Sequence, residues 1–177
     1  MPAPPKPSTD DTAIAYVQTY CGWHIAPSVT ETLTLDGPGG NVLVLPSLYV
    51  TDVSAITEDG TVLADGTDPD VPADYTWSQA GIVRRSWATG IWSGWCGVWW
   101  TSQLRGIQVD LTHGYDTWPL DLAAVIGTIS ERVKDNPSNL EQITVGPFSE
   151  KYSTGGASIS EGDRMVLNKY RLPWRLY

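Results

Sequence analysis

The chain is organised around residues 109–153, VDLTHGYDTWPLDLAAVIGTISERVKDNPSNLEQITVGPFSEKYS. This stretch predicts a strand that ends at a turn, then the most regular amphipathic helix of the sequence, then a loop and a second strand. The helix is expected from about Pro119 to Asp135, because proline suits a first helical turn and Asn136-Pro137 stops a helix. Its apolar residues follow an i, i+3, i+4, i+7, i+11 spacing that places them on one face: Leu122, Val125, Ile126, Ile129 and Val133.

Short apolar runs separated by turn residues precede this stretch. TETLTL at 30–35 and VLVLP at 42–46 flank a glycine-rich turn, and together they predict a hairpin. Asp59-Gly60 predicts a second hairpin turn, and residues 75–86 predict a short strand pair around a glycine. The region of about 26–113 is therefore expected to be an antiparallel β-unit of several short strands.

A helix is also expected near each end of the chain. Residues 10–21 predict a short helix that Thr9 or Asp10 can cap. Residues 161–171 predict a last helix, with Ser160 as its cap and Asp163 three residues later. The fold class is therefore α+β: an antiparallel β-unit with a short N-terminal helix, one amphipathic helix after the β-unit, and a C-terminal helix plus an extended tail.

The sequence shows no internal repeat and no composition shift that marks a domain boundary. Residues 1–9 predict a mobile, proline-rich arm. Residues 10–171 are expected to form a single domain, and residues 172–177 a tail.

Charge is unevenly distributed along the 177 residues, whose net charge is −9. All 20 acidic residues lie at or before Asp163, where seven basic residues accompany them, so this part carries −13. Residues 164–177 contain four basic residues and no acidic residue, a charge of +4. An acidic body is a poor clamp for nucleic acid, because affinity for phosphate comes from Lys and Arg. The basic tail indicates either an arm that docks on an acidic partner or a helix end that complements its own dipole.

Composition excludes several other classes. No run approaches the roughly 18 consecutive apolar residues that a membrane-spanning helix needs, so no membrane partner is expected. The N-terminus MPAPPKPSTDD lacks the apolar core of a signal peptide, which favours a reducing compartment. The two cysteines, Cys21 and Cys96, are therefore expected to be free and partly buried.

No constellation of catalytic residues stands out, and no catalytic residue, metal site or cofactor is predicted. The only histidines are His24 and His113, which lack a metal-ligand spacing. His113 is expected to bond to the backbone at a strand end. A set of aspartates that could suggest a calcium loop misses the EF-hand spacing and is interpreted as a solvated turn: Asp65, Asp68, Asp70 and Asp74. A spatially assembled pair of carboxylates for glycoside hydrolysis stays open, since sequence cannot identify one.

Residues 87–100, WATGIWSGWCGVWW, hold five of the nine tryptophans: Trp87, Trp92, Trp95, Trp99 and Trp100. In an extended chain Trp92 and Trp100 would share one face, and Trp95 and Trp99 the other. Three interpretations remain open: subunit or partner interface anchors, a platform that stacks on sugar rings, or core.

The ordered motifs of the second half resemble the head-to-tail connector, or adaptor, proteins of tailed bacteriophages that infect actinobacteria. The resemblance rests on a strand that ends in T-H-G-Y, a P-x-D-L helix start, an N-P stop, V-G-x-(F/Y)-S-x-x-Y, and a Ser-capped helix that ends in Y-R. These are Thr112 to Tyr115, Pro119 to Leu122, Asn136-Pro137, Val145 to Tyr152, and Ser160 with Tyr170-Arg171.

The first half resembles the same family through four further motifs: ETLTLDGPGG at 31–40, VLVLP at 42–46, VSAITEDG at 53–60 and D-Y-x-W at 74–77. The resemblance covers about residues 10–171. The tryptophan-rich insert 87–100 departs from the shorter strand of the family.

The resemblance implies a non-enzymatic structural protein of the virion, located at the capsid–tail junction and assembled in the host cytoplasm. It implies a homo-oligomeric ring, a dodecamer, beneath the portal protein, with a stopper or tail-completion protein on the far side. Double-stranded DNA would pass through the lumen during ejection without specific binding. The residues expected to dock on the portal are Arg171, Leu172, Pro173, Trp174, Arg175, Leu176 and Tyr177. The rival from another class is a tryptophan-platform carbohydrate-binding module or a tail-associated hydrolase.

Overall fold

The computed structural model describes residues 8–66, 70–86, 99–136, 142–145, 148–151 and 159–173. Its elements, in chain order, are α1 (Thr9–Cys21), β1 (Val29–Leu35), β2 (Val42–Val44), β3 (Val50–Glu58), β4 (Thr61–Val62), β5 (Tyr75–Trp77), β6 (Ile82–Arg85), β7 (Ile107–His113), α2 (Leu120–Asp135), β8 (Gln142–Val145), β9 (Phe148–Lys151), α3 (Glu161–Leu167) and a 3₁₀ turn (Asn168–Tyr170). This arrangement confirms the predicted α+β class.

Two compact units make up the chain, Met1–Trp23 with Trp118–Tyr177, and His24–Thr117. The first, the helical unit, contains α1, α2, α3 and the hairpin β8–β9. The second, the β-unit, contains β1 to β7 and matches the predicted region of about 26–113. The sequence shows no boundary at either junction, and a single domain over 10–171 stays a prediction.

The β-unit holds a four-stranded antiparallel sheet in the order β1-β7-β3-β4 and a three-stranded one in the order β2-β6-β5. Both predicted short-range pairs are present: β3–β4 turns at Asp59 and Gly60, whose φ angles are 48° and 83°, and β5–β6 is the strand pair within 75–86. Apolar residues from both sheets and from the segments between their strands form its core: Leu43, Leu45, Val50, Val53, Ile56, Leu63, Tyr75, Val83, Trp100, Ile107, Val109 and Leu111.

The prediction that residues 30–35 and 42–46 pair as a hairpin is wrong. β1 pairs with β7 along seven registered residues, and β2 pairs with β6 in the other sheet. The intervening glycines serve another segment: Gly37 and Gly39 donate backbone hydrogen bonds to the carbonyl oxygens of Gln103 and Thr101. A Cβ at Gly37 would lie 2.0 Å from the Thr101 oxygen, so only glycine permits this approach.

Helix α2 confirms the periodicity prediction. Four of the five stripe residues, Leu122, Val125, Ile126 and Ile129, are buried, and Val133 is half-buried. Burying each such side chain stabilises the fold by about 1.5–3 kcal/mol, so this stripe holds the helix in place. Pro119 is the N-cap residue rather than the first helical residue.

Both terminal helices begin with a capping box. Ser160 and Asp163 form the predicted box on α3, which ends at Leu167 and continues as a 3₁₀ turn. On α1 the cap is Ser8, whose side chain accepts from the Asp11 N–H while the Asp11 carboxylate accepts from the Ser8 N–H. The prediction of Thr9 or Asp10 as the cap is therefore wrong by one or two residues, and both residues are helical.

Candidate partner-binding segments

The end of the tryptophan-rich segment combines one exposed and one buried indole. Trp99 is 63% exposed, whereas Trp100 is 2% exposed and belongs to the core of the β-unit. The two side chains therefore point to opposite sides, as alternation along an extended chain predicts. The other three tryptophans of the predicted interface, Trp87, Trp92 and Trp95, lie outside the described residues.

An ion pair fixes both flanks of this segment. The Arg85 Nη2 atom lies 2.8 Å from Glu58 Oε2, and the two side chains are 12% and 11% exposed. The second oxygen of Glu58 accepts the Thr101 N–H at 2.6 Å. Since Arg85 precedes the tryptophan-rich segment and Thr101 follows it, a single carboxylate on β3 ties its two ends together. We call Glu58, Arg85 and Thr101 the β-unit anchor.

Aromatic and backbone contacts complete the base of the segment. The Arg85 guanidinium lies 5.1 Å from the Trp100 ring centroid, a cation–π distance. The backbone N–H of Trp100 donates to the Gly40 carbonyl oxygen at 2.7 Å. Three buried polar atoms here have no partner among the described residues: Tyr75 Oη, Arg85 Nε and Trp100 Nε1. Burial, followed by the charges of Asp65 and Asp52, raises the pKa of Tyr75, so its hydroxyl stays protonated.

The start of the predicted docking tail is tied to the end of α1. The Leu172 N–H donates to the Cys21 carbonyl at 2.9 Å, and the Trp23 Nε1–H donates to the Tyr170 carbonyl at 2.6 Å. The Arg171 guanidinium lies 5.4 Å from the Tyr20 ring centroid. We call these six residues the tail root. Of the predicted docking residues, Arg171, Leu172 and Pro173 are described, while Trp174, Arg175, Leu176 and Tyr177 lie outside the described residues.

Cys21 is free, as predicted, but it is fully buried rather than partly buried, and Cys96 lies outside the described residues. Burial raises the pKa of the Cys21 thiol to about 11, while the positive charge of Arg171 opposes this shift. The thiol is thus protonated near neutral pH and is a poor nucleophile. Its place in the tail root is structural.

Two polar contacts hold α3 and the 3₁₀ turn against α2. The Tyr170 hydroxyl donates to Asp121 Oδ1 at 2.9 Å, and Arg132 Nη1 lies 2.6 Å from Asp163 Oδ2. Burial acts to raise the pKa of Asp163, but hydrogen bonds from Arg132 and Ser160 outweigh burial and hold this pKa below its usual value. The residues that lead into the tail therefore have a fixed support.

The histidines lie close together, which their separation in sequence did not reveal. Their rings are 6.1 Å apart, and His113 Nε2 lies 2.9 Å from Glu31 Oε1, so the predicted backbone bond of His113 is replaced by a carboxylate. His24 Nε2 lies 2.5 Å from the Pro27 carbonyl oxygen. Within the described ranges, no three His, Cys, Asp or Glu side chains are grouped so that they could hold a metal ion.

The aspartate-rich loop has a structural role at its end. Asp74 Oδ2 accepts the Ala64 N–H at 2.9 Å, and the Asp74 N–H donates to the Ala64 carbonyl at 2.8 Å. These bonds close the loop, as expected for a turn residue. Asp68 lies outside the described residues. No helix in the described part of the chain is long and apolar enough to cross a bilayer.

Comparison with known proteins gives a fold but no family. No protein-family model and no curated protein matches this chain. A chain in the neck of a native GTA particle, computed with C12 symmetry, aligns with a TM-score of 0.58 and 16% identity, over 95% of this chain and 82% of that one. A chain in the neck of an empty GTA particle, computed with C6 symmetry, aligns with a TM-score of 0.54 and 17% identity, over 95% and 78%. Similarity at this level establishes the shared fold alone.

Proposed function

We propose that this protein is a structural, non-enzymatic subunit of a connector ring in the neck of a phage-type particle, where it joins capsid to tail. The proposal rests on one observation: nearly the whole chain shares the fold of neck chains from particles with cyclic symmetry. A closed ring requires each subunit to present two different surfaces to its neighbours. The connector motifs quoted above agree with this fold.

In this role the C-terminal tail docks on the portal protein. The tail root supports it, because the Leu172 N–H bond and the Trp23 bond hold its first residues against α1. Residues 171–177, RLPWRLY, supply two arginines, one tryptophan and one tyrosine, the residue types that dominate binding energy at interfaces. The +4 charge of residues 164–177 favours an acidic docking surface.

The tryptophan-rich segment is the second contact region, toward a neighbouring subunit or the stopper protein. Trp99 contributes a 63% exposed indole next to the β-unit anchor. Trp100, proposed from the sequence as an interface residue, is not part of this surface, because it is packed in the core. Subunit contacts would cover the exposed indole that an isolated chain presents to water.

Double-stranded DNA passes through the lumen of the ring without being held. Residues 1–163 carry 20 acidic and seven basic side chains, so the body repels phosphate and offers few sites for counterion release. Binding to DNA should therefore be weak and insensitive to sequence at physiological salt.

Electron microscopy of the protein mixed with the portal protein of the same particle tests the proposal. We expect ring-shaped assemblies on the portal with the full chain, and none after removal of residues 174–177, which leaves the tail root intact. A chain lacking residues 1–7 is the matched control and should still assemble. Normal portal binding by the tail-truncated chain would refute the docking role, and the absence of any ring or portal complex with the full chain would refute the connector role.

A sugar-binding platform is the alternative that the exposure of Trp99 favours, since indoles stack on sugar rings. It predicts a shift of tryptophan fluorescence on addition of bacterial cell-wall polysaccharide, lost in Trp99→Ala. An unchanged spectrum would remove this alternative.

A further inference from the structure

Strand β1 forms an open edge of the four-stranded sheet. It pairs with β7 on one side through all seven residues, Val29 to Leu35, and no described residue pairs with its other side. The strand contains no proline, lysine or bulge, which are among the devices by which edge strands avoid pairing with other chains, and its single charged residue, Glu31, is paired with His113 of the same sheet. Leu33 and Leu35 are only partly buried at the margin of the core. Strand β1 is thus a ready template for an added strand.

The opposite edge of the same sheet is protected against the addition of another strand. Strand β4 covers the end of β3, and the Val50 N–H of β3 donates to the Gln79 carbonyl at 2.8 Å. Register shifts at Val50/Asp52 and Val53/Ala55 make β3 irregular. Bulges twist an edge away from further pairing. Because the β3–β4 edge is covered and irregular and the β1 edge is not, an added strand should pair with β1.

The hairpin β8–β9 is a matching donor within the same sequence. Its two four-residue strands pair in register from Gln142–Lys151 to Val145–Phe148 and form a two-stranded sheet of their own. A lone two-stranded hairpin is marginal in water, and pairing with a further strand stabilises it. Among the described residues no third strand pairs with the hairpin, so an added strand would stabilise it.

The residue patterns of the two elements match face by face. The register places positions 143, 145, 148 and 150, which are Ile, Val, Phe and Glu, on one face of the hairpin, and the polar positions 142, 144, 149 and 151 on the other. Strand β1 likewise carries Val29, Glu31, Leu33 and Leu35 on one face and Thr30, Thr32 and Thr34 on the other. Each of these faces has three apolar residues and one glutamate, so addition in this orientation extends a largely apolar face and continues the row of hydroxyl side chains.

We propose that the hairpin β8–β9 of one copy adds to the β1 edge of the next copy and so forms the repeated contact of the ring. This inference rests on the proposed connector function. The two surfaces differ, so each copy offers one of each, and the head-to-tail contact closes a ring as cyclic symmetry requires. Main-chain hydrogen bonds supply the pairing, and the alternating side chains set its register.

Cysteine cross-linking tests the contact directly. Thr32→Cys on β1 is combined with Thr144→Cys on β8, and separately with Ser149→Cys on β9, in a Cys96→Ser background. Cys21 stays, because it is buried. A short bis-maleimide should convert at least one double variant into a ladder of dimers and higher multimers on denaturing gels, and the single variants should stay monomeric. A monomer-sized product with both cysteines linked would overturn the proposal, because the hairpin would then pair within its own chain. Absence of cross-links in both double variants would also overturn it.

Two lysine substitutions distinguish a failure of this inference from a failure of the proposed connector function. Thr34 on β1 and Gln108 on the central strand β7 face each other in register and are both exposed. Thr34→Lys should reduce ring formation in sedimentation velocity, whereas Gln108→Lys should leave it unchanged, since only the edge lysine meets the added strand. Rings that form equally with both variants refute the edge contact and leave the connector function standing. Failure of the unmodified chain to form rings or portal complexes refutes the function itself.

Discussion

Glu58→Gln is the most informative single change in the β-unit, because one carboxylate holds two ends of a segment. In the native chain its two oxygens accept from Arg85 at 2.8 Å and from the Thr101 N–H at 2.6 Å. A glutamine has the same shape but only one acceptor oxygen, and its amide group must then face a donor. The substitution therefore leaves one hydrogen-bond donor unsatisfied and Arg85 without its counter-charge, while it creates no cavity.

The expected cost is about 3 kcal/mol. Removal of one partner from a buried ion pair costs about 3–5 kcal/mol, whereas an exposed pair contributes about 0–1 kcal/mol. Glu58 and Arg85 are 11% and 12% exposed, close to the buried limit, so the lower end of the first range applies. Glu161→Gln is the matched control, since Glu161 lies 3.7 Å from Arg164 and is 84% exposed. It should change the free energy of unfolding by less than about 1 kcal/mol.

Urea titration followed by circular dichroism gives the free energies of unfolding of the two variants by linear extrapolation. Hydrogen exchange at the Thr101 amide supplies a local readout, and this amide should exchange faster in Glu58→Gln only. If both variants lose the same stability and the Thr101 amide exchanges at the native rate, the carboxylate does not anchor the tryptophan-rich segment.

Three further predictions concern the tryptophans, the tail and α3. Trp100→Ala should lower the free energy of unfolding by about 3–5 kcal/mol, whereas Trp99→Ala should lower it by less than about 1 kcal/mol but weaken ring assembly. Urea titration measures the stabilities and sedimentation velocity the assembly, and equal losses of stability in the two variants would contradict the prediction. Removal of residues 174–177 should leave thermal melting unchanged, but removal of 172–177 should lower the melting temperature, because the bond from Leu172 to Cys21 is lost. Asp163→Asn should destabilise the chain by a constant amount above pH 3.8, and the difference in unfolding free energy from the native chain should shrink as pH falls through the lowered pKa of Asp163. Urea unfolding at a series of pH values measures this difference, and a difference that does not change with pH would argue against the ion pair.

Elements set by local chemistry were predictable from the sequence. Helix α2 follows from a long apolar period, which depends only on neighbouring turns of one helix. The β3–β4 turn follows from Asp59-Gly60, because both residues adopt the positive φ that such a turn requires. The capping box of Ser160 and Asp163 is likewise contained in four consecutive residues.

Elements set by distant partners were not predictable. TETLTL and VLVLP are neighbours in the sequence, yet β1 pairs with β7, which is the last strand of the β-unit along the chain. Alternation indicates that Trp99 and Trp100 face opposite sides, but only the packing of the two sheets decides which of them is buried. The β-unit anchor joins residues of three separate segments, and neither spacing nor residue type marks it. The same limit applies to the closeness of the two histidines.

The anchors of both candidate partner-binding segments act mainly through the backbone. Glu58 binds the N–H of Thr101, and the tail root uses the Leu172 N–H and the carbonyl oxygens of Cys21 and Tyr170. Backbone groups are present whatever side chain a position carries, so substitutions within the segments leave these anchors in place. The fold can then be retained while the residues that meet a partner change. Such separation of support from recognition would let a fold persist while its sequence diverges, and a chain in the neck of a GTA particle shares this fold at 16% identity over 95% of the present chain.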